Sequence, residues 1–263
     1  MLEQNQKLNA VISEYLRTAT FPVAVKILKK GEPVPEMRAK IPTKNLGGRI
    51  AICQGMTMCR KHGTTLIFHK EDQSCPLAQV ILGFVEEPDF VKDGSVVYPL
   101  YACNMDAAKR TQETTPKMEK ADTGTVILAP LHRADFDPDV VVIYANPAQI
   151  TRMVQGALYN EGGYIESRFA GRGACGGEIT VPYSQQKYNV VIPGGGEKVF
   201  ALTQDDEMAF ALPACKIDSF VEGLVATHKS GVARIPTPIA GLTNEPKWPP
   251  YYKPLGDYAD SVD

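Results

Sequence analysis

Several signals that would assign a function outright are missing from this 263-residue chain. None of its six cysteines forms a Cys-x-x-Cys pair, which removes the spacings of zinc ribbons and common ferredoxins, so any metal site must be assembled from distant segments. Neither sign of charge is in excess: 28 Lys and Arg face 30 Asp and Glu, a formal charge of −2, which argues against nucleic acid as a main partner. No stretch approaches the ~18 uninterrupted apolar residues of a membrane span. The start, Met1-Leu-Glu-Gln-Asn-Gln-Lys7, lacks the apolar core of a secretory signal. A soluble, cytoplasmic chain without a membrane partner is expected, and in that compartment cysteines are thiols or metal ligands rather than disulfides. Gly194-Gly-Gly196 has no following Lys-Ser/Thr, and Gly171 to Gly177 does not fit the dinucleotide fingerprint. No Ser, His and Asp arrangement announces a hydrolase, so the sequence leaves open whether the chain is an enzyme.

What is present is patterned. Apolar residues make up 44%, enough for one sizeable core. Leu8, Val11, Ile12, Tyr15 and Leu16 repeat with helical spacing. Pro22 to Leu28 reads as a strand, 29–48 as a loop, and Arg49 to His62 as a helix closed by Gly63. Thr64 to His69 reads as a strand, and Cys75-Pro76 opens a helix with proline at its first position. Val96 to Ala102, Val126 to Ala129, Val140 to Tyr144, Tyr188 to Ile192, Val199 to Leu202 and Met208 to Leu212 are expected as strands, whereas 104–123 carries no clear pattern. Asn146-Pro147 caps a helix through Leu158, and a last helix carries Ile217, Phe220, Val221, Leu224, Val225 and His228. Strands and helices without strict alternation indicate an α+β or mixed-sheet α/β fold. A single domain over 1–234 is expected, followed by an extended tail over 235–263, since six prolines fall between Ile235 and Pro254.

Together, Ile52-Cys53-Gln54, Ser74-Cys75-Pro76, Val140 to Pro147, Gly171-Arg-Gly173 before Cys175, and Phe200 to Glu207 resemble the domain of unknown function 169 family, over roughly Leu8 to Pro236. The resemblance implies a small, soluble prokaryotic protein, often of anaerobes, with cysteines at the places matching Cys53, Cys75 and Cys175. It brings no activity with it.

The chemistry is therefore argued from the cysteines. Cys75 sits at a helix N-terminus, where free amides and the helix dipole favour a thiolate. Cys53 lies near another helix start. Cys175 stands among Gly171, Gly173, Gly176 and Gly177, whose backbone can approach an anion or a cluster sulfide closely. Cys53 and Cys59 are six apart, which on a helix turns them roughly 120° from each other, so Cys103, expected after a strand, is the better fourth ligand. Cys215, before the last helix, is expected to be a small buried hydrophobe. His62, His69, His132 and His228 are scattered, and Asp205, Asp206 and Glu207 read as a solvated turn. The expectation is that Cys53, Cys75 and Cys175 converge, with Cys103 or an open position completing an iron–sulfur site, for electron transfer or as a redox accessory with a redox protein partner; self-association into a homo-oligomer is compatible with this. The alternative is a metal-free domain, ligand-binding or regulatory, with structural cysteines.

Overall fold

The computed structural model describes residues 2–231, 234–235 and 248–261. Its frame is one sheet of six strands: β1 Val23–Lys29, β2 Leu66–Phe68, β3 Thr123–Pro130, β4 Val140–Ala145, β5 Asn189–Val191 and β6 Met208–Pro213. They lie in the order β2-β3-β1-β4-β6-β5, and every neighbouring pair is antiparallel. The fold is thus of the α+β kind. As its β-branched run implied, β4 is central, between β1 and β6, with all six residues buried.

Alternation along the strands divides the core in two. Val141, Ile143 and Phe210 face the layer of α1 (Leu2–Val11), the turn Ile12–Leu16, α5 (Pro147–Leu158) and α7 (Ile217–Lys229), which contribute Leu8, Ile12, Met153, Phe220 and Leu224. Val140, Val142 and Tyr144 face α2 (Ile52–His62), α3 (Pro76–Ile81) and the π-helical turn Gly176–Thr180, which contribute Ile52, Met56, Ile81 and Ile179. Each such aliphatic or aromatic side chain, buried from water, contributes roughly 1.5–3 kcal/mol. Local chemistry sets the ends. Asn146 Oδ1 accepts from Gln149 N and Gln149 Oε1 from Asn146 N, starting α5. Gly63 ends α2 in the left-handed region at φ 68°.

Both borders of the sheet are occupied by irregular chain. Beside β2, Lys40 N donates to Thr65 O and Ile67 N donates to Lys40 O. Beside β5, Val190 N donates to Ser167 Oγ.

Two expected strands are absent. Residues 96–102 form turns, with Tyr98, Leu100 and Tyr101 exposed; Gly94 bends the entry at φ 91° and Pro99 has no donor for a ladder. The segment expected as a turn then a strand, 194–202, is instead α6 (Gly195–Phe200) and a bend, because Glu197 Oε2 accepts Gly194 N at 2.9 Å and closes a helical first turn. Within 104–123, Asn104 accepts from Ala107 N and starts α4 (Met105–Glu113). The tail, expected to hold little regular structure, contains a helical segment over Pro250–Ala259, with Pro250 and Pro254 in first-turn positions that need no donor; 236–247 lie outside the described residues. Among the described residues no helix is long and apolar enough to cross a membrane.

Candidate functional site

Three cysteines sit on segments of the α2–α3 face of the sheet, Cys75 and Cys175 packed against its core. Cys53 is the second residue of α2, Cys75 the N-cap of α3, and Cys175 the N-cap of the Gly176–Thr180 turn. Two of these segments are laced together. Ile50 N donates to Asp72 O and Ser74 N to Ile50 O, while Gln73 Oε1 accepts both Ile52 N (3.2 Å) and Cys75 N (3.0 Å). Arg49 clamps Gln73 O from outside at 2.6 Å. One buried glutamine thus holds two helix starts side by side, and its Nε2 is buried without a partner. Cys175 arrives across the sheet, where Gly176 passes so close to Pro116 O that a β-carbon would not fit.

Behind the sulfurs lies an acid pair. Tyr144, projecting from β4 by the alternation that sends Val140 and Val142 the same way, brings its Oη to 2.7 Å from Glu178 Oε1 and 3.0 Å from Glu197 Oε1. A phenol has one proton, so both contacts are hydrogen bonds only when one of the carboxyls carries a proton too. Burial pushes Glu178 well above the usual carboxylate range, and the neighbouring Glu197 pushes it further; burial also raises Glu197. The Arg60 guanidinium, 4.1 Å from the centre of the Tyr144 ring, forms a fork with Glu207 at 2.6 and 2.9 Å.

These acids shape the thiols. Cys53 is raised to about 12, by burial first and then by Glu197, Glu178 and Cys75. Burial likewise raises Cys175, followed by Cys75, Glu178, Cys53 and Glu197. Cys53 and Cys175 are thus held as thiols in the metal-free chain, chiefly by burial, which outweighs the amides near their helix starts. Arg172 is a balancing cation: it feels Cys75, hydrogen bonds Gln112 Oε1 at 3.2 Å and lies over the Tyr101 ring.

The remaining cysteines differ. Cys59 is fully buried in the core beside Met56. Cys103 follows a turn rather than a strand, is exposed, and accepts from Asn104 Nδ2. Its loop borders the site through Tyr101. Cys215, expected buried, is exposed and bonded to Gln186, since it sits on the turn before α7. Gly173 and Gly177 face Ile81 and Val191, so protein neighbours already occupy the space their missing side chains leave, whereas Gly171 is open. Glu207 of the expected solvated turn holds Arg60, and the His228 ring packs at a tilt against Tyr15, centres 4.6 Å apart. Among the described residues, the ligand-type atoms that crowd within 4.8 Å of one another as a set of three are those of His69, Glu71 and Asp72. There, however, Asp72 is engaged by Thr43 and His69.

A pH dependence follows. Glu178 and Glu197 keep their protons to higher pH folded than unfolded, so the folded state binds more protons across that interval and stability declines as pH rises from the ordinary glutamate value of 4.5. Glu178→Gln should flatten this decline and raise neutral-pH stability, measured by urea unfolding at a series of pH values. An unchanged slope in the variant would place its source elsewhere.

Comparison with known proteins gives kinship without an activity. A profile of the DUF169 family, described as uncharacterised ArCR, matches residues 11–223. The chain is 28% identical to an uncharacterized protein of Methanocaldococcus jannaschii over 205 residues, which are 77% of this chain and 85% of the relative. No solved structure matches it. With the profile spanning most of its length, the chain belongs to the domain of unknown function 169 family.

Proposed function

We propose that this chain is a cytoplasmic iron–sulfur protein whose cluster is held by Cys53, Cys75 and Cys175, acting in electron transfer or as a redox accessory to a larger enzyme. The observation that supports this reading is that Gln73 laces the two helix starts that bear Cys53 and Cys75 side by side, on the sheet face that also carries Cys175 in a glycine-rich segment. A single ion with ~2.3 Å sulfur bonds needs its ligands packed tightly. In a cluster each thiolate binds a separate iron, so three ligands from three segments need not converge on one atom. Backbone amides at the helix starts and Arg172 offer compensation for negative charge. The fourth position is open or taken by Cys103 after its loop moves.

Anaerobic purification tests this. Broad visible absorbance with stoichiometric iron and acid-labile sulfide is expected, and Cys75→Ser or Cys175→Ser should bleach the chromophore while Cys215→Ser leaves it. A colourless, metal-free, folded chain would overturn the proposal and leave a metal-free ligand-binding or regulatory domain.

A further inference from the structure

A second concavity adjoins the thiol site, shares Arg172 with it and does not depend on a metal. The segment 161–174 arches from the end of α5 over β5 and encloses a groove of about 580 Å³, a volume suited to a small molecule. Beneath it Tyr188, 6% exposed, packs on Phe210 and Phe220 and is covered by the Lys216 ammonium 4.9 Å from its ring centre, so it supports the groove from below. Phe169 and Ile192 add apolar wall. Charge around the groove is unlike that of the chain as a whole. Arg168, Arg172, Lys187 and Lys216 line it against Glu161 and Glu166, and Glu161 is already bound to Lys216. Among the described residues, Arg168, Arg172 and Lys187 have no carboxylate within 4.0 Å. At the Arg172 end, the hydroxyls of Thr111, Thr114 and Thr115 donate to helix carbonyls, so the donors left for a ligand come chiefly from the cations.

We infer that this groove binds a small organic anion, its carboxylate or phosphate held by Arg168, Arg172 and Lys187 and its planar apolar body laid against Phe169 and Ile192, which are half exposed. Arginine recognises both oxyanions through paired donors, and the exposed ring of Phe169 favours a flat body. Because Gly171 to Ala174 form one wall and lead directly into Cys175, the bound molecule would abut the thiol site.

The probes are phenyl phosphate, benzoate, inorganic phosphate and benzyl alcohol, titrated into the full chain and followed by backbone amide shifts in NMR. Saturable shifts confined to 161–174 and 187–192 are expected with phenyl phosphate or benzoate, whichever binds tighter naming the oxyanion. Inorganic phosphate and benzyl alcohol, each lacking half the recognised chemistry, should bind at least tenfold more weakly. The double charge reversal Arg168→Glu with Lys187→Glu, on exposed side chains, should weaken the better probe at least tenfold, and Cys75→Ser should leave its affinity unchanged. Equal binding of benzyl alcohol, an unaffected charge-reversal variant, or no shift with either aromatic anion would overturn the inference. Loss of iron in Cys75→Ser with anion binding retained would separate this site from the thiol site.

Discussion

Replacing Glu207 with glutamine should lower the unfolding free energy by about 3 kcal/mol, the usual cost of stranding one member of a buried ion pair. The Arg60 side chain has no exposure, and Glu207 has only 14%. Burial raises Glu207, but the hydrogen bonds and charge of Arg60 outweigh it, and its carboxyl sits below the ordinary glutamate value. The amide keeps shape and one acceptor but removes the countercharge, leaving a guanidinium over the Tyr144 ring with two protonatable acids as its nearest relief. The drop is read from urea midpoints at neutral pH. A loss below about 1 kcal/mol would show that Glu178 or Glu197 ionises to take over, since Arg60 already lowers both.

An effect of similar size is expected on the opposite face of the sheet. Where α5 crosses α7, a methyl group added to Gly223 would fall inside the carbonyl oxygen of Gly156, and one added to Gly156 would strike Leu224. The two helices therefore approach backbone to backbone, and Gly223→Ala forces them apart at about 3 kcal/mol, the upper range for overpacking, of which alanine's helix preference returns about 1. Gly48→Ala meets nothing within 4 Å and should stay within about 0.5 kcal/mol. Thermal or urea unfolding of both variants checks the contrast; equal, small losses would mean that the helices slide apart freely.

The frame was legible where a local rule and a tertiary demand agreed. The Val140 to Tyr144 run, the Asn146-Pro147 start, the Gly63 stop and the Cys75-Pro76 cap each carry their own chemistry, and each stands as read. Val96 to Ala102 and Val199 to Leu202 show the limit: apolar composition suggested strands, but Gly94 and Pro99 turn the first, and Glu197 closes a helical turn ahead of the second. The acid cluster was hidden for a different reason. Glu178 stands alone in Gly176-Gly-Glu-Ile-Thr180 and meets Glu197 only because a π-helical turn and β4 bring Tyr144 between them; no spacing in the chain encodes that meeting. Gln73 was equally silent, since its role lies in accepting two amides from segments 21 and two residues away. The one signal open to sequence reasoning was Tyr144 itself, a hydroxyl placed by strand alternation on the face of Val140 and Val142.

The borders of the sheet govern how this protein can meet its own kind. Lys40 occupies backbone groups beside β2, and Ser167 takes a β5 amide with a hydroxyl. A strand offered by a neighbouring molecule would find those positions already filled, and it would first have to peel away the segment that also walls the groove. Growth of the sheet from chain to chain, the route by which bare edges nucleate fibrils, is thereby obstructed at both ends. Any assembly of copies is directed instead to side-chain surfaces, and it leaves the β-ladder of each copy closed.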